Sequence, residues 1–144
     1  MIHRVRIRNF KSIIGVAVDL SPVTVLVGRS GTGKSNFVQS LRFLRDIVSS
    51  QDARLTTQRI EWPHCRPATL PDEPTRFEVE FSIAGIEGRF RYVLALTPEG
   101  PHSPPIEEQL ILNDKCLYHQ AAEGSRNRHV LQWIVEPEVT PAPI

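Results

Sequence analysis

The sequence predicts an α/β fold in which a mixed sheet surrounds one central strand and one helix and is joined to an antiparallel β section. Three features predict it. The β-branched, almost wholly apolar run Val23–Val27 is typical of a buried central strand. After residue 34, apolar residues recur at helical spacing, at Phe37, Val38, Leu41, Leu44, Ile47 and Val48. From residue 77 onward, apolar and polar residues alternate, which is typical of strands with one solvated face.

Between the predicted strand and helix lies Gly28-Arg29-Ser30-Gly31-Thr32-Gly33-Lys34-Ser35. It fits the phosphate-binding P-loop pattern of Gly, four residues and Gly-Lys-Ser at every required position. Glycines bring backbone N–H groups within reach of phosphate oxygens, which a β-carbon would obstruct. We expect Lys34 to contact the β- and γ-phosphates and Ser35 to ligate the accompanying Mg²⁺. The positive end of the helix dipole adds to the same site. Strand, glycine loop and helix follow in the required order, so the sequence predicts a nucleoside triphosphate site.

Length and composition predict one cytoplasmic domain. The chain has 144 residues, 40% of them hydrophobic and 23% charged, which is ordinary for a soluble globular protein. The net charge of +1 argues neither for nor against nucleic acid and gives no electrostatic case for a membrane surface. Two cysteines without a secretory signal predict a reducing setting, and no window approaches the length of a membrane span.

The elements before the β section follow from local patterns. Residues 2–8 alternate as a half-buried strand, 9–12 form a turn, and 14–20 form a second strand. The helix is predicted over about 34–49 and has a polar exit. Residues 51–75 are predicted to be a surface loop, because four prolines prevent a long regular element there, at positions 63, 67, 71 and 74.

The β section is predicted to contain two hairpins and a last strand. Residues 77–83 and 89–97 flank a glycine-containing turn, and 106–112 and 115–120 flank Asn113-Asp114. A short strand is expected over 130–135, before a proline-rich tail. The predicted organisation is one partial domain over 1–136, divided into a core at 1–50, the loop at 51–75 and the β-rich section at 76–136, with the tail at 137–144.

Residues 5–13, Val-Arg-Ile-Arg-Asn-Phe-Lys-Ser-Ile, and the later Asp-Leu-Ser and glycine loop resemble the N-terminal lobe of ABC/SMC-type P-loop ATPases. The subgroup is the RecF-like and OLD-nuclease-like proteins, often labelled AAA-family ATPases. The resemblance is strong over 1–48 and weaker over 76–120. It implies ATP with Mg²⁺ as the ligand and Asn9, Phe10 and Lys11 as the turn beside the nucleotide, with Lys11 as a nucleotide contact. Ser30 departs from the family, which often has Asn there.

The same family also needs a Walker B strand, with apolar residues followed by Asp-Glu, a serine-glycine signature loop from a partner subunit and a switch histidine. No run of four apolar residues in this sequence is followed by an acid pair; Val93–Leu96 leads instead into Thr97-Pro98-Glu99. The resemblance therefore implies an N-terminal portion of a longer ATPase that hydrolyses ATP slowly or not at all. The implied partner is a second copy or the C-terminal half of the same ATPase; DNA is left open, and no membrane is expected.

Two other functions stay open at this point. One is a nucleotide-dependent switch or interaction module that never hydrolyses. The other is a P-loop kinase or GTPase, which is disfavoured by the two strands before the loop and by the lack of an Asn-Lys-x-Asp motif. The coupled biological activity, whether nuclease, repair, phage defence or transport, has no signal in the residues.

Other polar groups have simpler explanations than a site. A zinc site is disfavoured because adjacent His and Cys chelate poorly; its candidates are His64, Cys65, Cys116 and His119. Glu78 and Glu80 are expected on a solvated strand face rather than as catalytic carboxylates, as are Glu107 and Glu108. Arg4, Arg6 and Arg8 are expected to be solvated or to protect a sheet edge rather than to contact DNA.

Overall fold

The computed structural model describes residues 1–49, 65, 72–97, 106–123 and 128–133. One helix, α1, spans Lys34–Ser49. Seven strands are described: β1 Ile2–Phe10, β2 Ile13–Asp19, β3 Thr75–Phe81, β4 Phe90–Leu96, β5 Ile106–Leu112, β6 Lys115–Glu123 and β7 Arg128–Trp133. The predicted helix and both predicted hairpins are confirmed. The predicted tail at 137–144 and nearly all of the predicted loop at 51–75 lie outside the described residues.

The described strands form one sheet in the order β2-β1-β3-β4-β5-β6-β7, and every neighbouring pair is antiparallel. The β5–β6 hairpin turns at Asn113 and Asp114, whose φ angles of 47° and 66° are those a two-residue turn of this twist requires. Asn and Asp are among the residues that adopt this conformation most readily. The local sequence therefore sets the register of this hairpin.

The sheet has one apolar face and one charged face. Val5, Ile7, Phe77 and Leu94 are completely buried, and the register places Ile7 opposite Phe77 and Phe77 opposite Leu94. The alternate residues of β1 and β3 point to the other face and are charged: Arg4, Arg6, Arg8, Arg76, Glu78 and Glu80. The period-two pattern thus decides which face receives the helix.

Helix α1 packs on the apolar face through aromatic contacts. The ring centroid of Phe43 lies 5.5 Å from that of Phe10 and 5.8 Å from that of Phe77. The buried residues of α1 are Phe37, Ser40, Phe43, Leu44 and Ile47. The predicted face was partly wrong, because Val38 and Val48 are exposed and Phe43 was not predicted. Ser40 can be buried because its hydroxyl donates to the carbonyl of Phe37 at 2.6 Å.

The strand predicted at Val23–Val27 is wrong for this structure. No strand is assigned there, and Val23, Val25 and Val27 are 80%, 76% and 88% exposed. A strand needs a neighbour along its hydrogen-bonding edge. The described strands pair only with one another, and no main-chain hydrogen bond among the described residues joins 23–27 to them. The described chain is therefore a mixed α/β structure with an antiparallel sheet, not a mixed sheet built around the strand before the glycine loop.

Candidate functional site

The glycine loop before α1 requires glycine at two positions. Gly31 and Gly33 have φ angles of 83° and 91°, a left-handed conformation that other residues rarely adopt. Gly28 is closely packed as well, because a β-carbon there would lie 3.0 Å from the Thr32 hydroxyl oxygen, which would have to shift. The Thr32 hydroxyl in turn donates to the carbonyl of Arg29 at 2.8 Å. The loop therefore closes tightly on itself.

Lys34 folds its ammonium group into this closed loop. Its Nζ donates to the carbonyl oxygens of Gly28 at 2.6 Å and Arg29 at 2.5 Å, and it lies 3.2 Å from the Thr32 hydroxyl. A lysine ammonium has three donors, and the loop provides an acceptor for each of them. The cation is thus held inside the ring of residues that the sequence predicts to bind phosphate.

Helix α1 begins directly at this lysine. At its start, the N–H of Phe37 donates to the carbonyl of Gly33 at 2.9 Å. The N–H groups of the turn before it have no partner within the helix, and they carry the positive end of the helix dipole. The predicted metal ligand, Ser35, lies exposed in this first turn. Loop, lysine and helix start together form a place where an anion is favoured.

The turn between β1 and β2 has a strained backbone and is held in place by hydrogen bonds to distant segments. Asn9 and Lys11 have positive φ angles of 54° and 51°, which cost of order 1 kcal/mol each for residues other than glycine. The buried hydroxyl of Thr75 donates to the carbonyl of Asn9, and the Asn9 amide donates to the carbonyl of Pro74 at 3.1 Å. The N–H of Lys11 donates to the carbonyl of Cys65 at 2.7 Å. These bonds hold the turn in a conformation it would not otherwise keep.

The same turn contacts the glycine loop and α1. The Asn36 amide donates to the Ser12 hydroxyl at 2.6 Å, and Ser12 Oγ lies 3.7 Å from where a β-carbon of Gly33 would be. The Lys11 ammonium donates to Gln39 Oε1 at 2.7 Å, so it lies against the second turn of α1 rather than inside the loop. Contact between Lys11 and a nucleotide stays a prediction.

An open cleft of about 390 Å³ lies between β2 and the glycine loop. Its polar end is formed by the side chains of Ser12, Thr32 and Lys34. Its walls are apolar and come from both sides: Ile13, Ile14, Val16, Val18, Leu26, Val27 and Phe37. Small-molecule sites commonly combine such a volume with apolar walls and a few convergent polar groups.

The other polar candidates pair with one another. Arg6 is bonded to both Glu78 and Glu80, so these two carboxylates neutralise an arginine instead of forming a free acid pair. His119 lies 3.4 Å from Glu107. Among the described ranges, no group of three or more His, Cys, Asp or Glu side chains could hold a metal ion; His64 lies outside those ranges.

The strand considered for a Walker B motif has another role. Val93–Leu96 lies in β4, in the middle of the antiparallel sheet, and all four residues are buried. Thr97 follows, and Pro98 and Glu99 lie outside the described residues. Burial of Val93–Leu96 between β3 and β5 accounts for this apolar run without a catalytic role.

Sequence reasoning missed the residues that join the β1–β2 turn to the helix. Ser12, Asn36, Gln39 and Thr75 make the contacts that hold the turn against α1. Their partners are distant in sequence, up to 66 residues away for Thr75 and Asn9. The only local signal is the polar run Asn9-Phe10-Lys11-Ser12, which predicted a turn but not its neighbours.

Residues 23–129 match the family described as "AAA domain, putative AbiEii toxin, Type IV TA system". This range covers more than half of the chain; it starts at the first residue of the apolar run before the glycine loop and takes in α1 and β3 to β6. No curated protein matches the chain. Within the described ranges, no helix has the length and apolarity needed to cross a bilayer.

Proposed function

The chain belongs to this AAA domain family, which is a family of nucleotide-binding ATPase type, and from that premise we propose that it binds ATP with Mg²⁺ at Gly28–Ser35. Gly31 to Ser35 supply the amide cradle for the phosphates, and Gly28, Arg29 and Ser30 complete the binding loop. Lys34 neutralises the β- and γ-phosphates, and Ser35 ligates the magnesium ion. The domain acts as the N-terminal part of an ABC/SMC- or RecF-like ATPase.

The observation that carries this proposal is the position of Lys34. Its ammonium lies 2.5 to 2.6 Å from two carbonyl oxygens of the loop that precedes the helix. A charged group gains more from phosphate oxygens than from neutral carbonyls, because both partners are then ionised. A triphosphate entering the loop therefore gives this ammonium a better partner at the place where it already lies. The left-handed glycines and the helix start supply N–H donors to the same anion.

The cleft beside the loop supports a ligand larger than phosphate. Its polar end is at Lys34, and its apolar walls extend along β2. A nucleotide has the matching arrangement, with a charged phosphate chain at one end and a flat base with apolar faces at the other. About 390 Å³ is within the usual size of ligand sites. We therefore place the base and ribose along Ile14, Val16 and Val27.

The β1–β2 turn holds the cradle in position. Ser12 bonds Asn36 in the first turn of α1, and Lys11 bonds Gln39 one turn later. A turn fixed at both its sheet end and its helix end restricts how the loop can open. Lys11 is another cation near the site, and its ammonium becomes available to a bound phosphate if it releases Gln39.

Hydrolysis is not expected from these residues alone. Phosphoryl transfer needs an acid that holds magnesium and a group that orients water, in addition to the cradle. The sequence contains no apolar strand followed by an acid pair. The exposed apolar run Val23–Val27 supports a partner that supplies one, since a strand from the C-terminal half of such an ATPase would give its main chain a neighbour.

A non-hydrolysing switch or interaction module is the second candidate, and the same missing acid pair favours it. The two candidates differ in turnover once the partner is present. If adding the C-terminal half of such an ATPase, or a second copy, raises ATP turnover, the ATPase is supported. If nucleotide changes the affinity for that partner without turnover, the switch is supported.

Titration with a fluorescent ATP analogue, with and without Mg²⁺, tests nucleotide binding. The chain has three lysines, and Lys34→Ala, Lys11→Ala and Lys115→Ala remove the same charge from three places. Lys11→Ala tests the second predicted contact, and Lys115→Ala is the matched control. We expect Lys34→Ala to weaken binding by about 10- to 100-fold, as for loss of a strong charge-assisted contact. Lys115 is exposed in the β5–β6 turn, so Lys115→Ala should bind like the unmodified chain. Equal affinity for all three variants would exclude the glycine loop as the phosphate site.

A further inference from the structure

The charged face of the sheet contains two arginines that lie opposite each other. Arg8 of β1 and Arg76 of β3 are direct partners in the antiparallel register. Both are exposed, and both point to the face opposite α1. Like charges directly opposite on neighbouring strands destabilise the pair. This arginine pair therefore needs a physical explanation.

The neighbouring arginines show that the sheet otherwise neutralises such charges. Arg6, two residues before Arg8 on the same face, lies opposite Glu78 and bonds both Glu78 and Glu80. Arg4 lies opposite Asp19 and reaches its carboxylate at 3.5 Å. Three arginines thus alternate along one strand, and only at the third does the register supply another arginine instead of an acid.

Neither guanidinium of the arginine pair takes part in an ion pair or side-chain hydrogen bond with a described residue. Glu78, the next residue of β3 on the same face, is already bonded to Arg6. Within the part of the chain that the structure describes, the donors of these two guanidinium groups are therefore unused.

The residue on the β2 side of the arginine pair leaves it accessible. Gly15 of β2 lies opposite Arg8, and Ala95 of β4 lies opposite Arg76. A β-carbon at Gly15 would meet no atom within 4 Å, so the surface beside Arg8 is open. Across the sheet from β2 to β4, the two long arginine side chains therefore lie between a glycine and an alanine. A ligand can approach the guanidinium groups from the side of Gly15, whereas Ala95 on the other side is buried.

From this arrangement we propose that Arg8 and Arg76 form a second anion site that binds a phosphate group. Two guanidinium groups present paired N–H donors, and this geometry matches the oxygens of a phosphate. A free phosphate carries nearly two negative charges at neutral pH and so balances two arginines. A phosphodiester carries one, but each of its two unesterified oxygens can accept from one guanidinium group. The site lies on the sheet face opposite α1, so it is separate from the glycine loop. Its phosphate is either a free phosphate or a phosphodiester of nucleic acid.

The test must first exclude binding at the glycine loop, which also attracts phosphate. We therefore use Lys34→Ala as the background and titrate it with inorganic phosphate, followed by ³¹P NMR, in chloride buffers of constant ionic strength. In that background, Arg8→Ala and Arg76→Ala should each weaken phosphate binding about tenfold, as expected for loss of a bond to a charged group. Arg4→Ala removes the same charge from the same strand and face and should leave the binding unchanged, because Arg4 is paired with Asp19.

A short single-stranded DNA distinguishes the two sources of phosphate. If the phosphodiester is the ligand, Arg8→Ala and Arg76→Ala weaken DNA binding and each lowers its salt dependence by about one phosphate contact. If free phosphate is the ligand, only the inorganic phosphate titration responds to these variants. The proposal is overturned if neither probe is weakened by Arg8→Ala or Arg76→Ala relative to Arg4→Ala. All three positions are at least partly solvent-accessible, so the variants should fold, which thermal unfolding of each one verifies.

Discussion

Replacing Thr75 by valine tests whether the strained β1–β2 turn depends on the hydrogen bonds that hold it. Thr75 is completely buried at the start of β3, and its hydroxyl donates to the carbonyl of Asn9, a residue with a φ of 54°. Valine has nearly the same shape, so Thr75→Val removes the hydrogen bond and leaves little else changed. It also leaves a buried carbonyl with one partner fewer.

The expected loss follows from these contacts. A typical hydrogen bond contributes about 1 kcal/mol net, and a buried group left without its partner costs about 1–3 kcal/mol. The added methyl offsets part of that by burying more apolar surface, by about 0.8 kcal/mol. We therefore expect the free energy of unfolding to fall by about 1–2 kcal/mol, which with an m-value of about 1–3 kcal/mol/M lowers the urea midpoint by roughly 0.3–2 M.

Urea unfolding followed by circular dichroism measures this midpoint, and the ATP analogue titration measures the functional effect. Thr24→Val is the matched control, because the Thr24 hydroxyl is exposed and contacts only Ser21 and its immediate surroundings. It should change the midpoint by less than about 0.3 M. We also expect weaker nucleotide binding in Thr75→Val, because the turn that carries Ser12 loses its fixed position. An unchanged urea midpoint in Thr75→Val, or an equally large decrease in Thr24→Val, would show that the Thr75 hydrogen bond does not hold this turn.

Three further predictions address the loop, the core and alkaline pH. Gly31→Ala should cost about 1–2 kcal/mol and weaken ATP analogue binding, because residue 31 has a φ of 83° although its surroundings are open. Gly15→Ala is the control, because Gly15 is equally open and has no positive φ, and it should cause neither effect. Equal losses of stability for the two variants in urea unfolding would contradict this prediction. Phe43→Ala should lower the free energy of unfolding by about 3–5 kcal/mol by removing the ring between Phe10 and Phe77, whereas Val48→Ala at an exposed position should cost less than about 0.5 kcal/mol in the same assay. Burial first, and then the nearby Glu108 carboxylate, raise the pKa of Tyr92 above its ordinary value of 10.0. The unfolded chain therefore loses this proton near pH 10 while the folded chain keeps it, so the contribution of Tyr92 to stability is present up to about pH 10 and is lost as pH rises further. Tyr92→Phe should be less stable at pH 7 by about 2 kcal/mol, through loss of the 3.0 Å bond to Glu108, but should lose less stability between pH 9 and 11. Identical alkaline slopes would show that folding does not raise the pKa of Tyr92.

Local patterns predicted those parts of the fold whose partners are close in sequence. The hairpin at Asn113-Asp114 needs a left-handed turn, and the residues that adopt it are adjacent, so sequence alone was sufficient. The helix boundaries were also correct, because its glycine loop and polar exit are local signals. In the candidate site, the loop glycines follow the same rule: their positive φ angles are what the motif requires.

Contacts between distant segments were not predictable in the same way. Phe43 lies at helical spacing with the other buried residues of α1, but its partners Phe10 and Phe77 are on strands distant in sequence and could not be read from the helix. The bond between Ser12 and Asn36 and the bond from Thr75 to the Asn9 carbonyl depend on how the sheet places the β1–β2 turn against α1. A pattern along one segment reports which side is apolar, but not which polar residues of another segment lie against it.

The error at Val23–Val27 has a different physical origin, and it bears directly on the candidate site. Composition reports that a run is suited to a buried central strand, whereas strand formation also needs hydrogen-bonding neighbours. Here the run suits burial, yet its valines are 76% to 88% exposed, and it leads directly into Gly28. One end of the glycine loop is therefore fixed by α1 and the β1–β2 turn, while the other end follows a segment that has no neighbour among the described strands. A partner strand that paired with 23–27 would bury these valines and fix the second end of the loop, so binding of that partner and binding of nucleotide would each strengthen the other.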